Sequence, residues 1–319
     1  MFIISLDFEL LWGVLDTKGP EYYSKLGNVY HVVPSLLELF KQYEISCTWA
    51  TVGALFCEDT SRFLDEAPRL KPTYKVKSIC NYTAFKRLSL EDTSILFAPA
   101  LIKKIESYSN QEIASHTFSH YYTLEDGQTL EQFESDLKAQ KSVMLGHTDD
   151  CNSIVFPRNQ INPNYFESCK KFGINSFRGT ASHWAFNSSS KFKQSSFARA
   201  FRLIDSYIPL WDCSQVISKD SHSGIVNIPA SLFLRPYSHR LSFLEKLKIR
   251  RIKTGMTKAA KYGRIFHLWW HPHNFGANLE LNMKQLEDIL KHSQFLKEKY
   301  GFESMTMKDA AANFNKERV

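Results

Sequence analysis

Residues Phe2 to Glu9 alternate without a break: Phe2, Ile4, Leu6 and Phe8 fall on one face, and Ile3, Ser5, Asp7 and Glu9 on the other. A period of two is that of a β-strand. A loop rich in Gly, Pro and Tyr follows over 13–30. A helix is then predicted to open at Pro34, with Leu36, Leu37, Leu39, Phe40 and Tyr43 as its buried stripe. The run Ile45 to Val52 reads as a second strand. Strand, helix, strand at this spacing is the βαβ unit of a parallel sheet. Asp7 and Glu9 therefore share one strand face, and Leu10, Leu11 and Trp12 follow them directly. Two carboxylates entering such surroundings need a cation or hydrogen-bond partners to offset desolvation.

The alternation of strand and helix continues. Residues 57–98 are irregular and read as an insertion with short helices, before a helix over Ala100 to Tyr108 and a strand leading into His116. Thr129 and Gln132 match a capping box, Phe133, Leu137 and Met144 form one stripe, and Gly146 ends that helix. A short strand at Ser153 to Phe156 stops at Pro157-Arg158-Asn159-Gln160, a helix runs from Tyr165 to Phe172, and the next strand-like run reaches Arg178 and Gly179. Residues 182–222 carry few regular signals apart from Ile208 to Asp212. A buried strand over Ile265 to His271 ends at His271-Pro-His273-Asn274, and the last long helix is expected from Asn282, with Gln285 in a capping box, to about Tyr300. No linker divides the chain. The expected organisation is a single catalytic domain over 1–319, with an insertion around 57–98 and a basic helical segment around 235–262.

Composition narrows the class. The chain has 319 residues, 43% apolar and 23% charged, enough for a large core and ordinary for a globular protein. Much of the net charge of +7 sits between Arg235 and Arg264. Such a cluster suits phosphates or an anionic membrane surface, although a solvated helix face is the plainer reading. No nucleic-acid-binding motif accompanies it, so nucleic acid is not an expected partner. The six cysteines are scattered without a C-x-x-C pair, as free thiols in a reducing compartment would be. An acidic residue at position 7 with no basic segment before it argues against a signal peptide, and no apolar run is long enough to span a membrane. These observations lead to an expected cytoplasmic location.

Titratable groups collect at the predicted strand ends: Asp7 and Glu9, His116 and His120, Arg158, and His271. Ligand sites of parallel α/β proteins lie at the carboxyl ends of strands. His116 and His120 are four apart, which on a helical turn puts both on one face, close enough to share a divalent metal. One carboxylate and two imidazoles make a facial triad with open positions. A second carboxylate then suits a general base, and a histidine from another strand a general acid.

With these residues in order, the chain resembles the polysaccharide deacetylases of the NodB-homology type, carbohydrate esterase family 4. Asp7 and Glu9 look like the first motif, with Asp-Phe-Glu replacing the usual adjacent pair. His116-Thr-Phe-Ser-His120 is similar to the second motif, Phe156-Pro-Arg-Asn-Gln to a variant of the third, and Trp269-Trp-His271-Pro to the last; Trp211-Asp212 stands weakly for the fourth. The resemblance implies an α/β fold, a distorted (β/α) barrel, and a metal-dependent hydrolase that removes N-acetyl groups from a sugar. It implies Asp7 as base, Glu9, His116 and His120 as ligands of a divalent metal, most simply zinc, Arg158 as the partner of Asp7, and His271 as acid. The base and ligand roles of Asp7 and Glu9 stay interchangeable at this stage.

The expected setting is biosynthesis of a surface polysaccharide such as O-antigen or capsule, on a nucleotide-linked or lipid-linked sugar whose phosphates, or the inner membrane surface, the basic segment would meet. Candidate substrate contacts are Trp269, His273, Arg178 and Trp211. Each has a plain alternative: core aromatics for the tryptophans, a loop cap for His273 and a surface turn for Arg178. His267 reads as a hydrogen-bonded core histidine. Competing readings are an allantoinase-like hydrolase of a non-sugar C–N bond and a catalytically inactive carbohydrate-binding barrel. An amidohydrolase-type barrel fits less well, because its His-x-His belongs near the first strand and His271-Pro-His273 comes late.

Overall fold

The computed structural model describes residues 1–88, 93–147, 151–190 and 195–316. Its strands are β1 (Phe2–Phe8), β2 (Cys47–Thr51), β3 (Gln111–Ser115), β4 (Ser153–Ile154), β5 (Ser176–Phe177), β6 (Ser218–Lys219), β7 (Val226–Asn227), β8 (Leu232–Phe233), β9 (Phe266–Trp270) and β10 (Ser304–Met305). They form one sheet in the order β6-β7-β5-β4-β3-β2-β1-β9-β8, with β10 also on β1. Every pairing is parallel except β6 with β7. Ile228–Ser231, between β7 and β8, binds both flanks: Gly179 N–H donates to Ile228 O and Ser231 N–H to His267 O. The sheet thus curls into the expected distorted barrel.

The strict alternation of β1 becomes two environments, both dry. Phe2, Ile4, Leu6 and Phe8 face the helices in the main core, whereas Ile3 faces inward with Ala50, Val155, Val226 and Ile228, closed below by the helix Met307–Lys316. Above this apolar floor the same face of β1 carries Ser5 and Asp7, with Glu9 just past its end, all buried. A period of two thus stacks the inner face in layers, apolar at the bottom and titratable at the strand ends.

Several element boundaries differ from expectation for local reasons. The helix containing Pro34 runs Val29–Gln42 and holds the proline inside, because losing one N–H in its second turn is offset by burying Val29, Val32 and Val33. The last long helix starts at Leu279 rather than Asn282. Asn282 and Gln285 are used tertiarily instead: Asn282 accepts from Tyr237 N–H, and Gln285 donates to Glu245. The capping box at Thr129 forms as read, as does the Leu130–Met144 helix. Thr60–Glu66 and Asn81–Phe85 are short helices within the expected insertion, of which residues 89–92 lie outside the described residues.

The basic segment is mainly the helix Glu245–Lys261. Two of its cations are structural: Lys248 pairs with Glu245 at 2.5 Å, and buried Arg251 pairs with Asp205 at 3.0 Å. The other cations of this helix, Lys246, Arg250, Lys253, Lys258 and Lys261, line a cavity of about 890 Å³ against the helix Leu279–Tyr300. None of the candidate catalytic residues reaches it. No helix among the described residues is long and apolar enough to cross a membrane.

Candidate active site

The inward titratable residues converge where β1, β3, β5 and β9 end. Glu9 leaves β1 and enters the single helical turn Leu10–Gly13. Its Oε2 lies 3.4 Å from His116 Nε2 and 3.0 Å from His120 Nε2. One ligand atom from each of the three lies within 4.8 Å of the others, and all three residues are buried. Gly13 makes the space, since a Cβ there would come within 2.0 Å of the Glu9 carboxylate.

The two histidines face each other, but not on a helix. His116 directly follows β3, and residues 116–120 form a loop in which Thr117 and His120 take positive φ of 61° and 58°. Non-glycine residues adopt such angles only where surroundings over-determine them. Here Asp136 accepts from Phe118 N–H, Ser119 N–H and the Ser119 hydroxyl, Thr117 Oγ1 accepts from Tyr121 N–H, and Gly53 and Ala54 donate to Thr117 O and Phe118 O. Burial pushes the Asp136 carboxyl up to about 7 against the pull of those donors.

The donor set fits a divalent cation. His116 Nδ1 lies 2.7 Å from Val155 O, a carbonyl that can only accept, so the proton sits on Nδ1 and the lone pair on Nε2. His120 Nδ1 lies 3.2 Å from the Tyr122 hydroxyl. Both Nε2 atoms are buried without a hydrogen-bond partner. The His116 lone pair, turned on a buried carboxylate 3.4 Å away, is repelled unless a cation lies between them. A carboxylate with two imidazoles leaves coordination positions open, as catalytic zinc sites do.

Asp7 belongs to a separate system. Arg178, directly after β5, donates from Nη1 to Oδ1 at 2.6 Å and from Nη2 to Oδ2 at 2.9 Å. This corrects the expected partner. Arg158 instead donates from Nη2 to Asp16 at 2.6 and 2.7 Å and packs over the Tyr122 ring. Its φ of 55° turns the side chain aside, whereas Arg178 leaves its strand pointing inward and is fully buried beneath Trp269. Arg178 is also not the surface turn residue that its glycine neighbour suggested. A polar chain holds it: Nη1 donates to Ser5 Oγ at 3.0 Å, and Ser5 Oγ lies 2.8 Å from His267 Nε2, with His267 Nδ1 3.2 Å from Ile228 O. Only Nδ1 can donate to that carbonyl, so Nε2 accepts from Ser5. His267 is therefore a satisfied core histidine, and burial, then Arg178, lowers it to about 3.

Burial pushes both carboxylates up, and in both the neighbours win. Arg178, His116 and His271 hold Asp7 below its ordinary range; His271, His116 and His120 hold Glu9 well below. His271, directly after β9, presents Nε2 3.4 Å from Glu9 Oε1 and 3.8 Å from Asp7 Oδ2. Its Nδ1 faces the Asn274 amide nitrogen at 3.3 Å, so the proton of the neutral ring lies on Nε2, towards the carboxylates. His273 is buried against His271 and Tyr22, and burial, then His271, lowers it to about 4. Trp269 and His271 line a cavity of about 320 Å³ beside the site. Trp211 is not at the cavity surface. It packs on His183 and Phe186 and donates to Asp205, while Asp212 pairs with Lys258 and Arg264, away from His271.

No family model matches the sequence, and no curated protein matches it. Solved structures do. One from Mycobacterium smegmatis, described as a polysaccharide deacetylase, superposes with a TM-score of 0.63 at 13% identity, over 100% of this chain and 91% of that one. The fold is that of the polysaccharide deacetylases. A second such structure, from Pseudomonas aeruginosa PAO1, has a TM-score of 0.56 at 12% identity, over 99% of this chain and 90% of that one. An allantoinase structure also superposes on this chain, with a TM-score of 0.51 at 12% identity, over 91% of this chain and 88% of that one.

Proposed function

We propose that this chain is a metal-dependent hydrolase that removes an N-acetyl group from a sugar. The observation that carries the reading is convergence: the Glu9, His116 and His120 cluster, the Arg178-held Asp7 carboxylate and the Nε2–H of His271 all face one point at the strand ends. Glu9, His116 and His120 would hold the ion, most simply zinc. When bound, the metal supplies Lewis acidity, polarising the acetyl carbonyl and making water more acidic. Asp7 is kept ionised by Arg178 and acts as general base on the attacking water. His271 acts from its imidazolium form: it gives its Nε2 proton to the departing amine and returns to the neutral ring, while the Asn274 side chain orients the imidazole at Nδ1. Trp269 forms a wall for the sugar, and His273 supports His271 from behind.

We assign the sugar to surface polysaccharide assembly, O-antigen or capsule, on a nucleotide or lipid carrier in the cytoplasm. The motif resemblance supports the pathway, and six free cysteines support a reducing compartment. Of the basic segment, the cations on the large helix-lined cavity remain candidates for a carrier or membrane surface; Arg251 does not, since Asp205 holds it.

The test is acetate release from a panel of N-acetyl sugars by zinc-loaded protein, with cyclic amides as the counter-panel. Turnover of the sugars that stops with chelator supports the reading. Turnover of the cyclic amides alone replaces it with the allantoinase-like alternative, which the shared fold equally accommodates.

A further inference from the structure

The cavity beside His271 carries charge that the deacetylase chemistry does not use. Arg158, Arg202 and Arg235 line it together with Asp205, Trp269 and His271. Arg158 is neutralised by Asp16. The Asp205 carboxylate is also committed, accepting from Arg251, the Leu210 N–H and Trp211 Nε1. The other two guanidiniums are held by neutral groups. Arg202 Nη1 donates to Ala185 O, and Arg235 Nε donates to Ser206 Oγ at 2.8 Å. The Ser206 hydroxyl donates in turn to Arg202 O at 2.7 Å, linking the pair. Among the described residues neither arginine has a carboxylate within ion-pair distance, and their other N–H groups have no acceptor.

Both side chains are half-buried, so this charge is only partly solvated. Burial lowers both groups, and Arg199 and Arg235 lower Arg202 further. Two cationic forks on one cavity wall, each held only by a neutral acceptor, gain most from an oxyanion, the group that guanidinium geometry matches bidentately.

We infer that Arg202 and Arg235 form a subsite for an oxyanion on the substrate, so that the acetylated sugar presented to His271 carries a phosphoryl or carboxylate group. The inference rests on the deacetylase reading and narrows it to anionic sugars. A cavity of about 320 Å³ is at the small end of ligand cavities and suits one such ring better than a long neutral polymer.

Titration calorimetry of the zinc-loaded protein compares N-acetylglucosamine 1-phosphate, N-acetylmuramic acid and neutral N-acetylglucosamine, with inorganic phosphate as competitor. At least one anionic sugar is expected to bind about tenfold or more tightly than the neutral one. Which one gains identifies the oxyanion, and phosphate displaces the phosphorylated ligand. Arg202→Gln and Arg235→Gln each erase most of the difference. If a variant does not fold, salt dependence of the wild type replaces it: affinity for the anionic sugar alone should fall with ionic strength. Equal affinity for all three sugars, unchanged binding in folded variants, or no salt dependence overturns the subsite. The two readings fail separately. Arginine-dependent binding without acetate release removes the deacetylase and keeps the subsite; acetate release with equal affinities does the reverse.

Discussion

Arg178 and Asp7, 171 residues apart in sequence, meet through paired hydrogen bonds of 2.6 and 2.9 Å inside the barrel. Both are buried, so each charge depends on the other. Removing one partner of such a pair costs about 3–5 kcal/mol. Arg178→Ala is therefore expected to lower stability by that order in chemical denaturation. With Arg178 gone, burial acts unopposed by its charge and raises Asp7, so the acid limb of the pH–rate profile moves to higher pH. Arg158→Ala should leave that limb in place, because Arg158 touches Asp16 and not Asp7.

The metal ligands can be counted directly. Zinc analysis of the purified protein should find about one equivalent, and His116→Ala or His120→Ala should reduce it to a small fraction, since two donors rarely retain zinc. Asp7→Asn should retain the metal while abolishing acetate release. Loss of metal in Asp7→Asn, with retention in Glu9→Gln, would exchange the roles assigned to the two carboxylates. Wild-type protein without metal would favour the inactive binding barrel.

Gly13 gives a cleaner probe of the same cluster, because it touches the site only through space. A methyl group there would meet the Glu9 carboxylate at 2.0 Å, and the backbone at Gly13 is not in the left-handed region, so the chain itself accepts alanine. Gly13→Ala is expected to fold and to lose zinc affinity by about tenfold or more, the order seen when groups supporting a metal ligand are disturbed. Competition with a zinc-binding dye measures it; an unchanged dissociation constant would mean that Glu9 is not a ligand.

His267 sets a pH dependence of stability. Its folded value of about 3 lies below the ordinary 6.5, so between these limits the unfolded chain binds a proton that the folded chain does not. Its contribution is full above pH 6.5 and is lost as pH falls towards 3, by a few kcal/mol at about 1.4 per unit. His267→Asn keeps a donor for Ile228 O and removes the titration. Urea unfolding between pH 4 and 7 should show a flatter pH slope in the variant (~1 kcal/mol per unit less).

Strand polarity and side-chain alternation are local properties, and they made Asp7, Glu9 and His271 legible: each sits at a strand end on the face opposite an apolar row. His267 was legible for the same reason. The His116 and His120 pair was found for a partly wrong reason, since four-residue spacing brings the rings together through a left-handed loop and not a helical turn. Asp136, which holds that loop, gave no signal, because an aspartate within an amphipathic helix looks the same whether it faces water or three buried donors. Arg202 was equally silent, and Arg235 was legible only as the first residue of the basic segment.

By itself, then, the sequence determined the parallel α/β class, which strand ends carry titratable groups, and the ligand types for a metal, because these follow from period, polarity and chemistry within short segments. Only the tertiary structure decided which arginine holds Asp7, which cations of the basic segment are buried, and which cluster beside the cavity. Pairing across more than a hundred residues depends on where the barrel's curl brings each side chain. A buried charge settles on the partner that curl puts within reach, here Arg178 for Asp7 and Asp205 for Arg251.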